Sequence, residues 1–179
     1  MSGNTGTKIK TSAKVTRCAM MLALALVLSA LEAWIIPQGI LPLPGWKLGL
    51  ANIAILVTLY SVGRKEAFEV CVFRSLILLA FSGNLVGFGF SLVGGVAAWL
   101  TMSYISECKK VSIFGVSIAG AAAHAVGQIL VAWMFTSTAY ITLYLPWLML
   151  ASSFAGAIIA FLSVPIVKAL DHIGNEMIQ

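Results

Sequence analysis

The chain has 179 residues, of which 60% are hydrophobic and only 9% charged, with a formal net charge of +5. A soluble globular domain carries about 25% charged residues, and a chain of this size could not bury so much apolar surface in one aqueous core. These proportions exclude a soluble domain and a disordered chain. They point to an all-α integral membrane protein, whose basic excess reports orientation rather than a nucleic-acid partner.

A membrane-crossing helix needs about 20 mostly apolar residues. Residues 1–16 read as a polar N-terminal tail, residues 17–170 as a membrane domain and residues 171–179 as a C-terminal tail. Within the membrane domain six spans are predicted, over 17–36, 48–62, 67–82, 86–106, 113–136 and 145–170, the second and third being short. The first apolar run continues well past Ala23 and Ala25, which suits a retained helix better than a cleaved signal peptide. Lys8, Lys10, Lys14 and Arg17 precede span one, Arg64 and Lys65 join spans two and three, Lys109 and Lys110 join spans four and five, and Lys168 ends span six. Nine of the eleven basic residues therefore fall on one side of a six-span chain, and the positive-inside rule makes that side, with both termini, cytoplasmic. Cys18, Cys71 and Cys108 map near the same side without metal-ligand spacing, and read as small apolar fillers.

Small residues recur every four positions in span five (Gly115, Ala119, Ala123, Gly127), in span one (Ala19, Ala23) and in span six (Gly156, Ala160). Such stripes let helices approach closely. They serve packing within one bundle, or, for Ala19 and Ala23 near the cytoplasmic end, docking of a partner subunit.

Ionisable groups inside a bilayer cost at least about 2.5–3.5 kcal/mol each at mid-depth, so each needs a partner, a cavity or a function. Glu32 lies roughly 22 Å along span one, in its outer half. Arg74 and His124 fall near mid-depth, Gln128 one turn further out on the His124 face, and Asn52 and Asn84 near the outer ends of their spans. Trp46, Lys47, Trp133, Tyr140, Tyr144 and Trp147 map to the same outer surface. Converging polar groups with apolar and aromatic walls are what recognition of a small molecule requires, and the cations favour a carboxylate, phosphate or enolate. Structural roles compete with this reading: Glu32 could neutralise Arg74 or Lys47, His124 and Gln128 could bond between helices, and the aromatics could form an interfacial belt. Glu69, near the cytoplasmic boundary, is expected to pair with Arg64 or Lys65.

Between spans one and two, residues 37–47 read PQGILPLPGWK, with three prolines and two glycines that forbid a helix. Its apolar character suits a lid over a ligand mouth, with Gln38 and Trp46 among the candidate contacts.

The stretch PGWKLGLAN at 44–52, the alanines of span one, Arg74, and SLVGG at 91–95 together resemble the Gx transporter family. That family is also called heptaprenyl diphosphate synthase component I, and is similar to the substrate-binding S-components of energy-coupling-factor (ECF) vitamin transporters. The resemblance covers about residues 17–170. It implies a six-helix bundle with one small molecule bound in an outward-facing pocket, closed by the loop between helices one and two. It also implies a helix-one docking stripe, matched by Ala19 and Ala23, for a coupling transmembrane subunit, with ATP hydrolysed by separate ATPases. The chain has no GxxxxGK[ST] loop.

Prenyl diphosphate synthases hold Mg²⁺ and diphosphate with clustered aspartates, since Mg²⁺ needs hard oxygen ligands. Asp171 is the sole aspartate and lies outside the bundle, so prenyltransferase catalysis, a Ser–His–Asp triad and a metal site are not expected, and no cofactor is implied. The candidate substrate contacts are thus Glu32, Gln38, Trp46, Lys47, Asn52, Arg74, Asn84, His124, Gln128 and Trp147. The function expected is membrane substrate binding for uptake of a vitamin-like or cofactor or quinone precursor. The alternative is a non-transporting accessory subunit for prenyl-lipid or electron-transfer enzymes.

Overall fold

The structure, a computed structural model, describes residues 3–35, 47–108 and 110–176. The described residues form six α-helices and no strand: α1 (Gly3–Ile35), α2 (Asn52–Ser61), α3 (Arg64–Ser82), α4 (Leu85–Ile105), α5 (Ile113–Thr136) and α6 (Leu145–Glu176), with a 3₁₀ turn (Ala139–Tyr144) before α6. Among the described residues four segments are long and apolar enough to cross a membrane: Ser12–Ile35, Leu85–Ile105, Ile113–Thr136 and Tyr140–Leu170. The chain is a multi-pass membrane protein. Its Pro-rich segment lies almost wholly outside the described residues, and Gln38 and Trp46 with it.

Two elements differ from the sequence expectation, each for a local reason. α1 begins at Gly3, so the backbone of the expected tail is already helical; no proline interrupts it, and its amides bond within the segment. α2 is ten residues long, about 15 Å, half of the roughly 30 Å hydrocarbon thickness. The predicted span lost its first residues because Gly49 adopts φ +81°, a left-handed conformation that glycine tolerates and a helix does not. Residues 47–51 instead form a turn, in which the amides of Asn52, Ile53 and Ala54 donate to the carbonyls of Gly49, Leu50 and Ala51. The short helix survives because it is enclosed: every residue from Asn52 to Leu59 is buried.

α5 packs along both α4 and α6, α3 lies against α4, and α2 sits centrally against α1, α3 and α6. The close crossings are made by glycine. A β-carbon on Gly127 of α5 would stand 2.9 Å from the α-carbon of Gly94 on α4, and one on Gly156 of α6 would stand 2.8 Å from the α-carbon of Ile118 on α5. At the second crossing the Ser117 hydroxyl donates to the Gly156 carbonyl at 2.7 Å. Gly127 and Gly156 therefore serve packing inside the bundle, whereas Ala19 and Ala23 are exposed on α1.

Two apolar clusters result. One joins α1, α2 and α3 to the second half of α4 around Ile55, Leu56, Cys71 and Met102. The other joins the first half of α4, the second half of α5 and the start of α6 around Phe90, Ile129 and Leu148. The two chain ends lie at one face of the bundle, where an Arg17 Nη donates to the carbonyl of Leu170 at 3.5 Å. Ion pairs at this face include Lys14–Glu66 and Arg64–Glu107, both 2.5 Å. Glu66, one turn before Glu69, thus takes Lys14 of α1, and Arg64 goes to Glu107 rather than to Glu69. The Trp99 indole donates to the Arg64 carbonyl at 3.0 Å and stacks at a tilt on Phe68, tying α4 to the start of α3.

Candidate functional site

Five of the ten sequence-predicted contacts converge with buried side chains or backbone between the two apolar clusters: Glu32, Asn52, Arg74, His124 and Gln128, none more than 3% exposed. The helical rise explains the convergence. Glu32 sits near the end of α1, Asn52 at the start of α2, Arg74 at the middle of α3, and His124 and Gln128 past the middle of α5. Antiparallel helices then bring these positions to a common depth.

The turn before α2 organises the cluster. One Glu32 carboxylate oxygen accepts from the Gly49 amide at 2.7 Å and the other from the Leu50 amide at 3.2 Å. The carboxylate thus holds two backbone donors just before the positive end of α2, an arrangement favoured by charge-assisted bonding and by the helix dipole. The Gln128 amide donates to the Lys47 carbonyl at 3.1 Å and lies 3.2 Å from His124 Nε2. Glu32 and Gln128 therefore pin residues 47–50 across the top of the cluster from opposite sides. Lys47 itself is half-buried.

Arg74 is held from α4. One of its Nη atoms donates to the Ser91 hydroxyl at 3.0 Å and to the Ser91 carbonyl at 3.3 Å, and the Ser91 hydroxyl lies 3.2 Å from that of Ser75. No carboxylate lies within ion-pair distance of Arg74 among the described residues; Glu32, its expected neutraliser, is occupied by backbone amides. Two successive glycines of α4 make room for the His124 imidazole and the Arg74 guanidinium. A β-carbon at Gly94 would lie 2.8 Å from His124 Cε1, and one at Gly95 would lie 2.7 Å from Cys71 Sγ and 3.3 Å from an Arg74 Nη. A β-carbon at Gly49 would lie 2.9 Å from Asn52 Nδ2 and 3.3 Å from the His124 ring.

The cluster is under-bonded. Asn52 Nδ2 and Oδ1, Arg74 Nε, His124 Nδ1 and Gln128 Oε1 are buried without a hydrogen-bond partner. Each such atom costs about 1–3 kcal/mol, so five in one place mark a locus where stability has been given up. Donors and acceptors both stand unpaired, which suits a polar ligand carrying both. Among the described residues no three His, Cys, Asp or Glu side chains come together to hold a metal ion.

The remaining candidates fall elsewhere. Asn84 is exposed and caps α4, its side-chain oxygen accepting from the Gly87 amide at 2.9 Å. Trp147 is 73% exposed on the first turn of α6. Ala19 lines a groove of about 350 Å³ between α1 and α3, at the face carrying the termini, with Cys18, Leu22, Glu66, Glu69 and Phe73. Sequence reasoning missed Gly49, Ser75, Ser91, Gly94 and Gly95 as parts of the cluster. The available signal was positional: Gly49 and 91–95 belong to the stretches that carry the family resemblance.

No curated protein sequence matches the chain significantly. A solved structure, described as the S component of a bacterial ECF transporter, shares the fold with a TM-score of 0.64, covering 91% of this chain and 98% of its own at 18% sequence identity. At that identity the likeness is one of fold. The sequence model of the heptaprenyl diphosphate synthase component I family matches residues 21–165, which include α2 to α5 entire and every residue of the buried polar cluster. The chain belongs to the heptaprenyl diphosphate synthase component I family.

Proposed function

We propose that the protein is a membrane substrate-binding subunit, similar in role to the S component whose fold it shares, for uptake of a small vitamin-like or cofactor or quinone-precursor molecule. The observation that carries this reading is the set of unpaired donors and acceptors on Asn52, Arg74, His124 and Gln128, buried together under residues 47–50. A bound ligand satisfies these atoms and recovers the free energy their isolation costs. The Pro-rich segment leading into residues 47–50 acts as the lid, and Gln38, Trp46 and Lys47 contact the ligand from it. The protein carries no catalysis of its own; separate coupling and ATPase subunits supply energy, with Ala19 and Ala23 on the docking face.

The test is purification of the chain from its native membrane, followed by mass spectrometry of the small molecules released on denaturation. One dominant small molecule is expected from the wild type. Arg74→Ala, Asn52→Ala and His124→Ala should each reduce its occupancy at least tenfold. Unchanged occupancy in all three would remove the site from this cluster.

The family's description as a synthase component favours a second reading, a non-transporting accessory subunit for prenyl-lipid enzymes. In that case no small molecule is retained and a synthase subunit co-purifies instead.

A further inference from the structure

The buried guanidinium of Arg74 has no counter-ion within ion-pair distance among the described residues. Glu32 is the one acidic side chain here, against the buried Arg74 and the half-buried Lys47, and the three lie close enough to act on one another. The carboxylate is not shared. Its two oxygens accept from the Gly49 and Leu50 amides, and no ion pair joins it to either cation. The guanidinium of Arg74 is 3% exposed and rests on neutral partners only, the hydroxyl and carbonyl of Ser91. Its Nε–H points to no acceptor, although it is enclosed. A buried charge is normally paired because desolvation costs far more than that of a neutral polar group. Here the protein supplies hydrogen-bond acceptors to one side of the guanidinium and no counter-ion to it.

We propose that the substrate is an anion whose negative group is received by the Nε–H side of Arg74, with the Asn52 amide as its second donor. The inference rests on the substrate-binding reading above and adds the charge of the substrate to it. The anion supplies the counter-ion that Arg74 lacks, and its acceptor oxygens meet two of the unpaired donors, Arg74 Nε and Asn52 Nδ2. The Gln128 NH₂ can only donate to His124 Nε2, so the imidazole proton sits on Nδ1, and the unpaired acceptors are Asn52 Oδ1 and Gln128 Oε1, which require donor groups elsewhere on the same molecule. An anionic molecule that also bears amide, hydroxyl or ring N–H donors fits; a neutral or cationic one leaves Arg74 uncompensated.

The experiment uses the full chain in a neutral detergent and a small-molecule extract of the source cells, split on an anion exchanger into a retained anionic fraction and an unretained fraction. Each fraction is added to wild type, Arg74→Gln and Arg74→Lys, and the thermal unfolding midpoint is read. The anionic fraction should raise the wild-type midpoint by several degrees, raise that of Arg74→Lys less, and leave Arg74→Gln unmoved. Phosphatase treatment of that fraction separates a phosphate ester, whose effect disappears, from a carboxylate, whose effect persists. A shift produced by the unretained fraction, or an equal shift in Arg74→Gln, overturns the anionic assignment while leaving substrate binding standing. No shift from either fraction overturns substrate binding itself. Should Arg74→Gln fail to fold, the contrast between the two fractions on wild type and Arg74→Lys decides the matter.

Discussion

Glu32 shows why an acidic residue can sit inside a membrane bundle without an ion-pair partner. Its two oxygens take the two amides that a left-handed Gly49 turns toward the bundle interior, and the start of α2 adds its dipole. Replacing it by glutamine keeps the size but leaves one acceptor oxygen and turns an NH₂ group toward a backbone N–H. Hydrogen bonds to charged groups contribute about 1.5–3 kcal/mol, so Glu32→Gln is expected to lower unfolding stability by about 2 kcal/mol. Reversible denaturation in detergent measures it, and an unchanged midpoint would show that the turn does not depend on the carboxylate. Arg74 is the opposite case: its neighbours Ser75, Ser91 and Gly95 position it without neutralising it. The polar residues were legible individually, because a charge among apolar neighbours is conspicuous. Their partners were not, because serine and glycine look the same in a packing stripe as in a site.

At the scale of elements, the small residues of the helices divide into two kinds. Gly127 meets the backbone of α4 and Gly156 the backbone of α5, so an added methyl has no flexible side chain to displace. Gly127→Ala and Gly156→Ala should each destabilise by about 1–3 kcal/mol through overpacking, seen as a lowered unfolding midpoint, whereas Ala23→Ser on the exposed side of α1 should cost about 0.5 kcal/mol or less. Ala19 and Ala23 have no such internal contact to lose, being exposed. On the proposed docking role, Ala19→Trp or Ala23→Trp should abolish co-purification with a coupling subunit while leaving ligand occupancy unchanged. Association that survives both would assign this face to lipid. The shortness of α2 was only partly legible, because the bonding of Glu32 to Gly49 depends on two segments separated by the Pro-rich connection.

For the whole molecule, both termini share one face with Lys14, Arg17, Arg64 and Lys65, and the 3₁₀ turn before α6 stands at the opposite face. The positive-inside rule then predicts that a membrane-impermeant thiol reagent added to intact cells labels Ser137→Cys and spares Cys108, both of which are exposed. Labelling of Cys108 alone would invert the orientation. The buried polar cluster lies nearer the Ser137 face, since Glu32 approaches the end of α1 and Ser91 the start of α4.

The sequence by itself determined the class of solvent, the helix boundaries to within a few residues over α3 to α5, and how far along its helix each polar group lies. All three follow from quantities summed along the chain: apolar content, helical rise and the alternation of basic loops. The tertiary structure alone decided which polar groups face one another, that Glu32 holds a backbone turn instead of Arg74, and that the guanidinium is left to neutral serines. Lateral neighbours in a bundle are set by where glycines let helices meet, and that information is carried by pairs of segments far apart in the chain rather than by any one of them.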